Sequence, residues 1–231
     1  MAVVVHLLGQ SSYETVHALQ TQLLEARIAD RIPDVVLLLE HQSVITVGRS
    51  KGAMANVLTA GDVPVVAVER GGDVTWHGPG QLVAYPIVKL KGERQDLHLH
   101  LRSLEQSVIE LLADHRLQAT RDDRNTGVWL PEPDGLPRKV CSVGIACRRW
   151  VTWHGLAVNV CPDLDGFNAI NPCGFDTAII TRLCDHLSPP PSVQGLAAPL
   201  AAHLLRALDL QREGTIRYAD TPNEVPALLT L

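Results

Sequence analysis

The chain has 231 residues, of which 46% are hydrophobic and 19% charged, with a net charge of −5. That balance supports one sizeable buried core and excludes intrinsic disorder, whose signature is low hydrophobicity with high charge. No apolar run approaches the ~18 residues of a membrane span, and an acidic chain lacks the basic footprint of nucleic-acid binding.

In chain order, Met1-Ala2-Val3-Val4-Val5 has no Lys or Arg before it and no small-residue cleavage site after it. Neither a secretory signal nor a transit segment is therefore expected, and the expected location is cytoplasmic. Val16, Leu19, Leu23 and Ala26 recur at helical spacing and predict an amphipathic helix over 13–28. Short β-rich runs follow at Val35–Leu39, Val44–Val47 and Val63–Val68. Leu82–Val88 is a further strand, which its Pro86 assigns to a sheet edge or a strand terminus. Leu97, Leu101, Leu104, Val108, Leu111 and Leu112 trace one helical face behind the capping residue Asp96. Gly127–Leu130 and Val140–Ala146 flank a Pro-rich turn and read as a hairpin, and Val151–Val160 reads as another strand. After Pro189-Pro190-Pro191, the leucines from Leu196 to Leu208 predict a closing helix with Pro199 near its first turns or at a kink. With no repeat and no linker, 1–231 reads as a single domain. Clustered strands interrupted by helices predict an α+β (mixed α/β) fold, because strict βαβ alternation is missing.

Four segments carry candidate chemistry. Glu69 to Gln81 mixes four glycines with Arg70, Thr75, Trp76 and His77. That composition is unlike a regular hydrophobic element and suits a backbone that approaches a ligand. It is neither a P-loop nor a G-x-G-x-x-G fingerprint. Lys139 stands at the mouth of an apolar strand, where a solvated strand end is the ordinary outcome. Gly155-Leu156-Ala157 fits a ligand contact or a tight packing contact equally well. Cys173, between Pro172 and Gly174, lies on a turn that can expose sulfur. Cys141, Cys147 and Cys161 sit in strand-like apolar contexts, where cysteines are inert. Five cysteines, Cys184 included, are an odd number, expected to be free thiols in a reducing compartment. No C-x-x-C pair or H-E-x-x-H motif is present, so no metal is expected from the pattern.

Taken together, these segments resemble the bacterial lipoyl(octanoyl) transferases. The likeness rests on Arg-Gly-Gly-x-x-Thr-Trp-His-Gly-Pro-Gly-Gln-Leu-Val from Arg70 to Val83. It continues through Gly127-Val128-Trp129-Leu130, Arg138-Lys139, His154-Gly155-Leu156-Ala157-Val158-Asn159 and Pro172-Cys173-Gly174. The resemblance implies the catalytic-domain fold of the biotin/lipoate protein ligases, a mixed sheet with packed helices. It implies an acyltransferase that moves octanoyl from octanoyl-acyl carrier protein to a lysine of apo lipoyl domains, in E2 subunits and the glycine-cleavage H protein. It implies no cofactor, with Cys173 as the acyl-thioester nucleophile and Lys139 as the partner that lowers the thiol pKa. Substrate contacts carry over to Arg70, Gly71, Gly72, Asp73, Val74, Thr75, Trp76 and His77, to Ser142, Val143 and Gly144, and to Gly155, Leu156 and Ala157. Trp76, Leu156 and the adjacent glycines are expected to line an acyl slot. Arg49, Lys51, Arg138, Arg148 and Arg149 are candidates for docking an acidic carrier. The sequence departs from the family at Glu40-His41-Gln42-Ser43 and at Arg182.

Overall fold

The computed structural model describes residues 2–122, 125–171, 179–212 and 214–229. Its scaffold is an eight-stranded mixed sheet in the order β11-β1-β2-β6-β10-β9-β8-β7, beside a three-stranded sheet in the order β4-β3-β5. The large sheet contains β1 (Ala2–Ser11), β2 (Asp34–His41), β6 (Gln81–Lys89), β7 (Thr120–Asp122), β8 (Asn125–Leu130), β9 (Arg138–Arg148), β10 (Val151–Asn159) and β11 (Arg217–Ala219). The small sheet contains β3 (Val44–Val47), β4 (Val65–Ala67) and β5 (Val74–His77). The opening valines form β1, which pairs in parallel with β2 and β11. From β2 onward through β6, β10, β9, β8 and β7 every pairing is antiparallel.

Both faces of the large sheet are covered, and the period-two alternation of each strand sorts residues between them. Ala2, Val4, Val36, Leu38, Leu82, Ala84, Leu156 and Val158 pack with α2 (Leu97–Asp114) and α3 (Val193–Ala207). Their neighbours Val3, Val5, Val35, Leu37, Val83, Tyr85 and Ala157 pack instead with α1 (Tyr13–Ile28) and the short α4 (Val225–Leu228). The helix starts follow from their caps. The Asp96 carboxylate accepts from the backbone N–H of His98 and Leu99, and the Ser192 hydroxyl accepts from Gly195 N–H. Pro199 lies inside α3. A third cluster joins the small sheet, through Ile45, Val74 and Trp76, to Phe167 and Ile170.

Pro86 corrects an expectation, since β6 lies inside the sheet between β2 and β10. Its missing N–H is tolerated because the β6–β10 ladder is interrupted there. Pairing stops at Thr152↔Val88 and resumes at Leu156↔Ala84. In the gap, His154 adopts φ +57°, and the proline ring faces Gly155. A Cβ on Gly155 would lie 2.2 Å from Ala84 O and 2.8 Å from Pro86 Cδ. Gly155→Ala therefore pushes β10 off β6 and is expected to destabilise the fold by about 1–3 kcal/mol. A lowered urea midpoint is the expected readout, and an unchanged midpoint would contradict this packing.

Candidate active site

The segment from Glu69 to Asp73, between β4 and β5, folds across β9. Gly71 N–H donates to Ile145 O at 2.9 Å, while Gly48 N–H and Ser50 N–H donate to Asp73 O and Gly72 O. The Arg70 guanidinium staples this loop, donating to Asp73 O at 2.7 Å and to both Thr46 O and Thr46 Oγ1 at 2.9 Å. Glycine is required where the two backbones meet. A Cβ on Gly48 would sit 2.3 Å from Gly72 O, whereas one on Gly144 would make only a tight contact with the Arg70 side chain, 3.2 Å from Cδ.

Loop and sheet enclose a cavity of about 590 Å³, within the range of small-molecule sites. Its lining includes Arg70, Gly71, Gly72, Asp73, Val74, Thr75 and His77, together with Lys139, Ser142, Val143, Gly144, Gly155, Leu156 and Ala157. Of the proposed contact residues only Trp76 is absent from the lining. Its ring instead packs edge-on against Phe167, 5.2 Å between centroids, and fills the space that the missing side chains of Gly78 and Gly166 leave. Trp76 therefore packs in the core beneath the small sheet, apart from the cavity lining that its motif neighbours share. Leu156 and the glycines do face the cavity. Asn125, Thr126, Tyr13, Tyr85 and His154 also line it, and residue spacing gave no signal for them as a group.

Lys139 is only 7% exposed, which overturns the reading of a solvated strand end. A bulge in the β8–β9 ladder leaves Val140 without an opposite residue, since Val128 pairs with Cys141 and Trp129 with Lys139. That extra residue re-aims the lysine side chain. Its ammonium donates to Asn125 Oδ1 at 2.7 Å and to Thr126 O at 3.0 Å, and lies 5.0 Å from the Trp129 ring centroid. Gly127 makes room for the stem. It has φ +143°, and a Cβ there would meet Cys141 O at 2.4 Å and Lys139 Cε at 3.1 Å. The fully buried Glu105 of α2 accepts Gly127 N–H at 2.9 Å and pairs with Arg102 and Arg121, anchoring β8 from beneath. On the far side, Thr181 N–H donates to Lys139 O at 3.0 Å, and Ile179 and Ile180 line the cavity.

A second buried polar chain runs under the cavity. Gln81 Nε2 donates to Asn159 Oδ1, and Asn159 Nδ2 donates to Thr181 O. Gln81 Oε1 then faces His77 Nδ1 at 3.1 Å, which places the ring proton on that nitrogen. Burial, reinforced by His41 and Arg70, pushes His77 down to about 3. Burial likewise lowers His41 to about 4, and together with Arg70 and His17 it lowers His154 to about 3. These imidazoles are neutral at pH 7.

The cysteines divide clearly. Cys141 is buried, which drives its thiol far above the usual range, and partial burial also raises Cys147. Cys161 and Cys184 form a disulfide, correcting the expectation of free thiols. They meet because the chain after Ile180 returns beside the end of β10, where Cys184 N–H donates to Val160 O. Cys173 lies outside the described residues.

This combination of sheet, glycine loop and buried lysine is that of a lipoate ligase-type catalytic domain. The structure superposes on a bipartite lipoate protein ligase from Thermoplasma acidophilum with a TM-score of 0.69, at 15% identity, covering 99% of this chain and 91% of the other. It superposes equally on a lipoate-protein ligase A bound with ATP, at 15% identity, with 99% and 93% covered. At such identity the likeness shows the fold. The lipoyl protein ligase A/B catalytic domain family matches residues 12–205. An octanoyltransferase of Gloeobacter violaceus is 44% identical over 208 residues, 89% of this chain and 90% of its own. That of Thermobifida fusca is 42% identical, with 88% of each chain covered. The chain belongs to the octanoyltransferases of the lipoyl protein ligase A/B family.

Two outcomes follow from the geometry. Gly127→Ala strains a left-handed backbone and displaces the Lys139 stem, so acyl transfer is expected to fall at least about tenfold; unchanged turnover would show that the lysine's placement does not matter. The depressed histidines bind fewer protons folded than unfolded. Stability is therefore lost as pH falls below the unfolded value of ~6.5 towards 3–4, by up to about 1.4 kcal/mol per pH unit for each histidine. Denaturant midpoints measured between pH 7 and pH 5 should decline, and His77→Gln should flatten that decline.

Proposed function

We propose that the chain transfers an octanoyl group from a carrier-protein thioester to a lysine of a lipoyl domain through an acyl-thioester on Cys173, with Lys139 as its partner. The carrying observation is the Lys139 amine, held by Asn125 and Thr126 at a cavity that Val143, Leu156 and Ala157 also line. The cysteine chemistry supports the same reading. Two of the other four cysteines are bonded to each other, and the remaining two have thiols that burial keeps protonated.

A covalent relay suits a reaction between two macromolecules, because the carrier can leave before the acceptor enters. The Cys173 thiolate attacks the octanoyl carbonyl, a C–S bond forms, and the carrier thiol departs with a proton. The acceptor amine then attacks the enzyme thioester, an amide forms, and the Cys173 thiol is regenerated. The first step exchanges one thioester for another, and the second runs downhill to an amide, so ATP is not required. An ammonium beside a thiol favours the thiolate, and the neutral amine can take up the proton of the incoming lysine. Val143, Leu156 and Ala157 offer apolar surface for the tail. At about 0.8 kcal/mol per buried CH₂, its seven carbons beyond the carbonyl contribute on the order of 5 kcal/mol.

The donor would dock beside the cavity. Arg138 pairs with Glu132 and Asp134, and Arg148 pairs with Glu25. Arg49, Lys51 and Arg149 make no ion pair among the described residues. Arg49 N–H bonds to Arg70 O, at the rim of the loop. An acidic carrier protein fits that edge.

Incubation with octanoyl-carrier protein, without ATP or Mg²⁺, should add one octanoyl group that maps to Cys173. Cys173→Ser should abolish the adduct, and Lys139→Met should slow its formation at least about a hundredfold. An absolute need for ATP would favour ligase chemistry through an adenylate. No covalent mass gain would reduce the protein to a binder of carrier or lipoyl domains.

A further inference from the structure

At the rear wall of the cavity, which His154 helps to line, three side chains converge from different parts of the chain: His17 of α1, Glu69 ahead of the glycine loop, and His154 of β10. His17 Nε2 is 3.0 Å and His154 Nε2 is 3.6 Å from Glu69 Oε2, and all three ligand atoms lie within 4.8 Å of one another. His154 is 2% exposed, and its Nε2 has no hydrogen-bond partner among the described residues. The 3.6 Å gap to the carboxylate is too long for a hydrogen bond. A buried ring nitrogen aimed at a carboxylate without bonding to it calls for an explanation.

The surroundings hold these donors in place. His154 has φ +57°, a strained conformation for a residue with a side chain. Its N–H is fixed by Gln20 Oε1 at 3.0 Å, and Gln20 lies one helical turn beyond His17 on α1. The His17 ring stacks on Tyr13 and lies 5.6 Å from the Trp153 ring. Burial keeps His154 neutral, the form in which an imidazole binds metal.

We propose that His17 Nε2, His154 Nε2 and a Glu69 carboxylate oxygen bind a divalent transition-metal ion of the zinc type, with solvent completing the coordination. Zinc takes imidazole and carboxylate donors at roughly 2.0–2.2 Å, which sets them about 3.4 Å apart in a tetrahedron. The observed 3.0 and 3.6 Å bracket that spacing. Small rotations of His17 and Glu69, whose side chains are 26% and 48% exposed, bring in the third pair. Two imidazoles exclude magnesium and calcium, which prefer all-oxygen sites. The ion would tie α1 to the loop carrying Arg70 and to β10, acting as a clamp on the cavity's rear wall. It would take no part in acyl transfer.

The test uses the full chain, stripped with chelator and titrated with Co²⁺ and then Zn²⁺. One Co²⁺ per chain should bind, with visible d–d bands and no thiolate charge-transfer band, and Zn²⁺ should displace it and raise the melting temperature. His17→Ala should weaken Co²⁺ binding at least about tenfold, while the metal-free variant keeps its octanoyl transfer. No stoichiometric binding, a thiolate band placing the ion on cysteine, or unchanged affinity in His17→Ala would each overturn the proposal.

Discussion

The buried amine of Lys139 is the constraint around which the site is organised. A largely buried amine is stable only when its N–H groups meet acceptors, and Asn125 Oδ1 and Thr126 O provide them. Those acceptors are in place because β8 is pinned by Glu105 through Gly127 N–H, and the same glycine leaves the space through which the lysine stem passes. Removing one partner from such an arrangement leaves the others unsatisfied, so these residues act as a unit.

The two sheets divide the work. The large one is a rigid floor, covered by helices on both faces, and it presents Lys139, Ser142, Gly144, Leu156 and Ala157 from adjacent strands. The small one carries the glycine loop over that floor as a wall. Gly48 and Gly155 mark the places where backbones approach too closely for any side chain. Gly155 packs tightly against Ala84 and Pro86 and also lines the cavity.

Elements with strong periodicity and clear caps were readable from residues alone. The helix over 13–28 and the strand Val44–Val47 occur at those bounds, and Asp96 does cap α2. Elements that depend on distant partners were not. β11 is three residues beside β1, and β5 lies within the glycine-rich segment that had looked irregular. Pro86 misled because the break that accommodates it lies in another strand, at His154. The packing of Trp76 was not legible because its ring lies against Phe167 and Gly166, far along the chain. Asn125 had no visible link to Lys139, and the Cys161–Cys184 pair and the His17, Glu69, His154 cluster join residues whose separations match no local pattern. No helix among the described residues is long and apolar enough to cross a membrane.

The central claim is that the amine seated by Asn125 and Thr126 meets the nucleophilic sulfur across the cavity. A crystal structure of the octanoyl-loaded protein measures this directly. The expected result is an acyl-bearing Cys173 sulfur within hydrogen-bonding reach of Lys139 Nζ, with the alkyl tail lying along Leu156 and Ala157. A thioester on a different residue, or a Cys173 sulfur facing away from the lysine with the tail outside the cavity, would contradict it.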